Sequence, residues 1–459
     1  MMQRIFKLAW PTVMEEALYT LVQYADTAQV GAIGARASAA VGLTGTTMWL
    51  LHAPMFAAGI GVLSCISISL GAKDEERAQK AAMQSVFLVG IIGIILTAFT
   101  LAISPFLPGW LGGDPDIRSD ASLYFTIVCA PMLFRTAGTV FGSVLRAAGN
   151  TKRPMMVNGL MNAVNILLNF LLILPSRTVT LGGIALPVWG AGWGVKGAAI
   201  ATAAAVVLGG SLMALSVWAE PSLGLKGQKL RFCPPVMRQC LRVGAPVAAQ
   251  HIASSFGHVI FTSLIARLGT IPMAAHAIAL TTEEAFYIPG YGMQAAAATL
   301  AGFSVGERNE KKLRQYTLAI IVMAAALMTV LSILLFLFPT AMMRIFTKDP
   351  QVIALGASVL RIVAVSEPFF AVLIILDGVC NGVGDTKAPF LFSLFSIWGV
   401  RIAGTFLFVS VLHFGLKAAW VCMVADNMTR FVLMLTRYLR GGWKRGLDLP
   451  DSSPTPHAE

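Results

Sequence analysis

Stretches of about twenty apolar residues recur along this chain, and such stretches do not face water. Residues 85–103, SVFLVGIIGIILTAFTLAI, and 318–338, LAIIVMAAALMTVLSILLFLF, are two of them. In hydrocarbon a backbone amide finds no water to pair with, so a spanning segment must satisfy its own hydrogen bonds as a helix or join a closed barrel. The length and continuity of these windows select helices. Twelve can be placed, at about 8–30, 46–70, 82–104, 120–143, 155–175, 196–219, 243–266, 278–305, 316–338, 354–378, 389–412 and 416–436. The fold class expected is an all-α polytopic membrane protein. A composition that is 56% hydrophobic and 12% charged, with a mean hydropathy of +0.74, agrees.

A net charge of +12 would also suit a nucleic-acid binder, so the positions of the 34 Lys and Arg decide. With the N-terminus inside, 22 fall in cytoplasmic segments and 4 (Arg135, Arg361, Arg401, Arg430) within spans. Only 8 lie on the other side: Arg36, Arg118, Arg177, Lys196, Arg267, Arg344, Lys348 and Lys417. This bias follows the positive-inside rule. It predicts a multi-pass protein of the inner (cytoplasmic) membrane with both termini cytoplasmic, and no nucleic-acid partner. The six cysteines lie in spans or cytoplasmic segments and read as small apolar fillers. The first apolar stretch holds Glu15, Glu16 and Asp26, and reads as a spanning helix rather than a cleaved leader. The tail, 441–459, ends in the polar, proline-bearing PDSSPTPHAE and is expected to be a disordered cytoplasmic extension.

Sliding the chain against itself by 235 residues brings its punctuating residues into register without a gap. Pro11 meets Pro246, Gly34 meets Gly269, Pro54 meets Pro289, Gly71 meets Gly306 and Glu75 meets Glu310. LRAAGNTKRP (145–154) meets CNGVGDTKAP (380–389), where Gly149, Thr151, Lys152 and Pro154 coincide with Gly384, Thr386, Lys387 and Pro389. A displacement of six helices, an even number, gives both halves the same orientation about an axis along the membrane normal. The expected organisation is an N-terminal six-helix lobe over 1–219, a cytoplasmic linker over 220–242, a C-terminal six-helix lobe over 243–440 and the tail. A binding cavity is expected between the lobes, with alternating access by rocking of one lobe on the other or bending within one.

With DTAQVGAIGARASAAVGL from Asp26, SLGAKDEERA from Ser69, LRAAGNTKRP, NILLNFLLI from Asn165, GVKGAAIAT from Gly194, LGTIPMAAHAI from Leu268 and NGVGDTKAP from Asn381, the chain resembles the multidrug and toxic compound extrusion (MATE) family of the NorM and DinF kind. The pieces run its full length, in order and duplicated. The resemblance implies a V-shaped twelve-helix antiporter exchanging H+ or Na+ for amphipathic, often cationic, compounds. It implies no cofactor beyond the coupling ion, small organic substrates and membrane lipids as partners, a monomer, and no enzyme activity.

Ionisable groups inside a span cost about 2.5–3.5 kcal/mol at the helix centre, so each needs a partner or a cavity. At about 1.5 Å per residue, Asp26 lies roughly 27 Å up the first span, and Asn165 and Asn169 about 15 and 21 Å up the fifth, on one face. Thr202 reaches a similar height from the other side, so the four can converge. Desolvation moves a carboxylate towards proton exchange, whereas amide and hydroxyl oxygens suit a hard cation. In the resembled family the position of Asp26 is the protonated or cation-binding carboxylate, surrounded by those of Asn165, Asn169 and Thr202. Relatives with Asp at the position of Asn169 would hold two carboxylates; one favours H+ over Na+. A purely interhelical hydrogen-bonding role for the amides is the alternative.

Glu15 lies eleven residues before Asp26, within about 20° of the same helix face, and is expected to line the cavity lower down. Glu283 and Glu284 in the eighth span and Glu367 and Asp377 in the tenth are further acids; Glu284, Glu367 and Asp377 join Glu15 as substrate-cavity candidates. By the resemblance, the seventh-span carboxylate of NorM-type relatives is Ser254 here and the tenth-span one Phe370, so these acids do not transfer by position. Arg135, Arg361 and Arg401 are expected to pair with them. A flippase for a lipid-linked saccharide is the competing function, though such proteins add helices or carry a cationic cavity. A membrane-embedded enzyme would need a catalytic cluster, and the sequence holds no Walker loop, metal-ligand cluster or nucleophile–base pair.

Overall fold

A computed structural model describes residues 1–31, 33–181 and 184–447. The first half comprises α1 (Met2–Gly31), α2 (Ala35–Gly71), α3 (Glu75–Ile103), α4 (Leu107–Trp110), α5 (Pro115–Cys129), α6 (Met132–Ala147), α7 (Lys152–Leu172) and α8 (Gly194–Trp218). The second comprises α9 (Pro234–Ala266), α10 (Thr270–Gly306), α11 (Glu310–Leu337), α12 (Pro339–Phe346), α13 (Pro350–Ala364), α14 (Glu367–Val383), α15 (Lys387–Phe395), α16 (Ala403–Thr405) and α17 (Leu416–Leu439). Two π-helical stretches, Ser396–Ile402 and Phe406–Val411, flank α16 and complete one long helical segment.

The 235-residue displacement recurs in three dimensions. It relates both ends of α2 to those of α10 and of α5 to those of α13, and the first residues of α3, α6 and α7 to those of α11, α14 and α15. Even the breaks coincide: α5 and α6 meet at 49° and α13 and α14 at 56°. Among the described residues two elements are strands. Between α7 and α8, β1 (Pro175–Leu181) and β2 (Ile184–Ala191) pair antiparallel, with Leu181 opposite Ile184. Among the described residues no strand stands between α16 and α17, where the displacement ends.

Among the described residues seven helices are long and apolar enough to cross a membrane, nine if each bent pair is one span. The three expected spans outside that set are α1, α9 and α10, equally long but less apolar; α1 carries Glu15, Glu16 and Asp26, and α10 carries Glu283 and Glu284. The stretch expected as linker to residue 242 is helical from Pro234, because two prolines at a helix start lose no hydrogen bond and preset the backbone. The tail begins with a 3-10 turn, Gly442–Leu447, and the remainder lies outside the described residues. Trp443 is buried there, and Lys444 and Arg314 reach Glu310 at 3.0 and 2.8 Å. These cations hold its carboxyl below the usual range.

The lobes meet at the end of the molecule where α1 begins and α2 and α10 finish. A Cβ on Gly71 would lie 2.2 Å from the Phe303 carbonyl oxygen, and one on Gly306 would lie 2.0 Å from that of Ile68. Gly71 and Gly306 are repeat equivalents, and so are Ile68 and Phe303, so the helices cross on the pseudo-twofold axis with backbone against backbone. Ser64 donates to the Gly382 carbonyl at 3.1 Å near the same end, and Thr12 donates to that of Gly292 at 2.7 Å further along α10. A branched side chain here must push the lobes apart. Gly306→Val is therefore expected to raise maleimide labelling of Cys65 and Cys240, both buried in the intact protein, several-fold; unchanged labelling would contradict a packed seam.

Candidate functional site

Helices α1 and α7 run side by side in a constant register. Thr151 donates to the Lys7 carbonyl at 3.4 Å, Asn158 to Glu15 at 2.6 Å, and Asn169 to Asp26 at 2.7 Å. Eleven residues separate Glu15 from Asp26 and Asn158 from Asn169, so the two acids and two amides occupy matching faces about 16 Å apart. Asn162 and Asn165 lie between them at helical spacing, and α7 thus presents a stripe of four asparagines to the acidic face of α1.

At the far end of this stripe the four residues expected to converge do so. Asn169 Nδ2 donates to Asp26 Oδ1 and to Asn165 Oδ1, the latter at 3.3 Å, and Asn165 Nδ2 donates to Thr202 Oγ1 at 3.3 Å. The chain of contacts crosses three helices, α1, α7 and α8. Asn169 is 1% exposed, and its Oδ1 is buried with no donor. An unfilled acceptor in so dry a place is costly, about 1–3 kcal/mol, unless a ligand or proton meets it. Gln29, one turn beyond Asp26, donates to the Ile166 carbonyl at 3.4 Å and leaves its Oε1 buried and unpaired. Sequence reasoning passed over Gln29 and Asn162, although spacings of three from Asp26 and Asn165 place them on the same faces.

Glu15 has a different setting from the cavity wall expected for it. Arg146 of α6 approaches both of its carboxylate oxygens, at 3.0 and 3.2 Å, while Asn158 fills the first. The carboxylate is thereby neutralised inside the N-terminal half. Arg146 also lies on the lobe seam, for Thr299 of α10 donates to its carbonyl at 3.3 Å.

The C-terminal acids fall into two settings. Asp377 accepts from Gln294 at 2.9 Å, and Glu284 is partly exposed. Glu283 and Glu367 are deeply buried within electrostatic reach of each other; Glu283 Oε2 and both oxygens of Glu367 have no hydrogen-bond partner. Beside them stand aromatic rings absent from the sequence-based list. Tyr287 meets Tyr291 and Phe370 edge-on at 5.5 and 5.7 Å. Tyr287 and Tyr291 follow Glu283 by four and eight residues along α10, which was the available signal; Phe370 comes from α14.

Arg401 does not make its ion pair with any of those acids. It pairs with Asp426 at 2.7 Å, which Arg430 also reaches at 3.2 Å, and it covers the Phe261 ring at 5.6 Å. Among the described residues Arg361 reaches the Phe336 carbonyl, at 3.4 Å, and Arg135 Nε is buried without an acceptor. The expected pairing of these arginines with the candidate acids does not form, because Asp426 on the facing helix α17 lies nearer to Arg401 than the acids on α10 and α14. Phe261 is the repeat equivalent of Asp26. Thus one lobe holds a hydrogen-bonded carboxylate where the other holds an aromatic ring under a guanidinium. Among the described residues no group of three or more His, Cys, Asp or Glu is arranged as a metal-ligand set.

A duplicated helical bundle in a membrane, closed at one end along its symmetry axis and carrying polar groups inside its lobes, is the build of an alternating-access transporter. The chain belongs to the MatE family, whose model matches residues 11–171 and again 246–407, two matches that start 235 residues apart. It is a multi-pass membrane transporter and not an enzyme. It is 29% identical over 450 residues to the "Probable multidrug resistance protein NorM" of Thermotoga maritima, covering 96% of this chain and 93% of the relative. The "Uncharacterized transporter YisQ" of Bacillus subtilis is 24% identical over 442 residues, covering 96% of this chain and 94% of the relative. Among solved structures, a MATE protein in the bent conformation superposes with a TM-score of 0.86 over 97% of each chain at 24% identity. An outward-facing multidrug resistance MATE transporter superposes at 0.84 over 96% of each, again at 24% identity.

Proposed function

We propose that this protein is a secondary antiporter of the inner membrane, with both termini cytoplasmic, that exports amphipathic cationic organic compounds in exchange for H+, and that Asp26 is the coupling carboxylate. The observation that carries the reading is the continuous Asp26–Asn169–Asn165–Thr202 array with its unfilled buried acceptor. Such an array interacts differently with a protonated and an ionised Asp26. Only a differential interaction of that kind lets an ion gradient bias one conformation over another. Protonation gives Asp26 a donor, and the Asn169 amide can present either its nitrogen or its oxygen to the carboxyl, so it suits both states. Na+ would call on the same oxygens, but one carboxylate supplies a single negative charge where hard-cation sites recruit several oxygen ligands.

In this reading the seam at Gly71 and Gly306 is the closed inner gate of an outward-facing state. Between the lobes, Glu284 with Tyr287 and Tyr291 offers an organic cation a carboxylate and two aromatic faces. Efflux of a fluorescent lipophilic cation from everted vesicles, with H+ and Na+ gradients imposed separately, tests the proposal. Transport is expected to follow the H+ gradient and to stall without one. Equal rates under no gradient, H+ and Na+ would overturn antiport, and dependence on Na+ alone would reassign the ion.

A further inference from the structure

The interlobe linker is held against α3 so as to display unpaired cations at the level where α3 enters its apolar stretch. After α8 the chain turns through a short 3-10 helix, Pro221–Leu223, and Gly224, at a φ of 56° that a side chain disfavours, reverses it. Leu223 and Leu225 are buried in the core shared by α2, α3 and α6. From there the linker climbs α3 in steps. Gln79 donates to the Gly224 carbonyl at 2.6 Å. Gln84 then donates to the Arg231 carbonyl at 3.0 Å and accepts from the Cys233 amide at 3.1 Å. Phe232 finally meets Phe87 edge-on at 5.5 Å. From Gln79 to Phe87 this is a rise of about 12 Å along α3.

Phe87 lies inside the apolar window that starts at residue 85, so Phe232 reaches hydrocarbon depth. Phe232 and Leu230 are about half exposed, with apolar surface that only lipid would cover favourably. Beside them Lys226, Lys229 and Arg231 are exposed, and none makes an ion pair or a side-chain hydrogen bond among the described residues. The acid at the start of the linker, Glu220, is already engaged by Arg153 at 3.1 Å and Asn150 at 2.8 Å. Exposed cations alternating with exposed apolar side chains, on a backbone fastened to a spanning helix, form an interfacial anchor. The second half has no counterpart, because the linker occurs once.

We propose that the linker segment 226–232 binds the headgroups of anionic phospholipids, the cations taking the phosphate and Leu230 and Phe232 the start of the acyl chains. Each basic side chain near an anionic leaflet adds a roughly constant increment of binding free energy. Removing three should weaken binding on the order of a hundredfold.

Native mass spectrometry of the full-length purified protein, titrated with phosphatidylglycerol or phosphatidylcholine of matched chains, reads this directly. Intact protein is expected to retain phosphatidylglycerol in preference. The Lys226→Gln/Lys229→Gln/Arg231→Gln variant is expected to lose that preference, while Leu230→Ser/Phe232→Ser weakens both lipids and keeps it. A charge-matched control, Arg308→Gln/Lys311→Gln/Arg440→Gln, removes exposed cations elsewhere and should leave the preference in place. Undiminished phosphatidylglycerol retention by the linker variant would overturn the proposal. So would an equal loss in the control, which means net charge alone, or full displacement by glycerol phosphate, which means a free-phosphate site. Melting curves of each variant, expected to match the parent because all these side chains are exposed, separate loss of binding from loss of fold.

Discussion

Gradient-driven efflux through an Asp26→Asn variant in proteoliposomes should fall to the level of protein-free vesicles, while substrate binding and the melting midpoint stay close to those of the parent. The substitution isolates titration from architecture. Asn at 26 still offers a carbonyl oxygen to Asn169 Nδ2, which now donates to Asp26 at 2.7 Å, so the α1–α7 contact persists. What disappears is the second protonation state, and with it the difference in interaction energy through which a proton gradient can act. Retained proton-driven efflux would remove Asp26 from the coupling role. Collapse of both binding and stability would show instead that the array is structural.

The second large effect is expected in the other lobe and on stability. Asp426 is fully buried and faces two guanidiniums, Arg401 at 2.7 Å and Arg430 at 3.2 Å, with Asn427 Oδ1 accepting from Arg430 at 2.7 Å. Asp426→Asn leaves two cations sharing a site without the carboxylate that pairs with both. Breaking a buried ion pair from one side costs about 3–5 kcal/mol. A drop of several degrees in the melting midpoint in detergent is therefore expected. Arg430→Gln should cost less, because Arg401 and Asp426 remain paired. Equal midpoints for Asp426→Asn and the parent would mean that Asn427 and the backbone suffice to hold the arginines.

These two sites mark how far sequence reasoning reached. Asp26, Asn165, Asn169 and Thr202 could be brought together on paper because helix rise fixes height and a spacing of four fixes face. Gln29 and Asn162 obey the same rule and could have been read with them. Asp426 could not. Its spacing to Arg430 shows an i, i+4 pair on one helix, but the partner that buries it, Arg401, sits on a π-helical stretch whose wider turn departs from the 3.6-residue repeat used to project faces. Glu15 was assigned the right face and the wrong company, since Arg146 comes from another helix and no local pattern reports it.

The sequence by itself determined that the chain is helical, membrane-borne and built twice, because those properties follow from local quantities: apolar length, the polarity of the backbone, and a repeat visible in Gly, Pro and Thr positions. Only the tertiary structure decided which charges are spent on one another and which are left with an unfilled partner. Pairing of side chains depends on the angle and separation at which helices cross, and those are set by packing among residues far apart in the chain. So Glu15 and Asp26, eleven residues apart on one face of α1, end in different conditions: the first closed by an arginine, the second hydrogen-bonded by an amide.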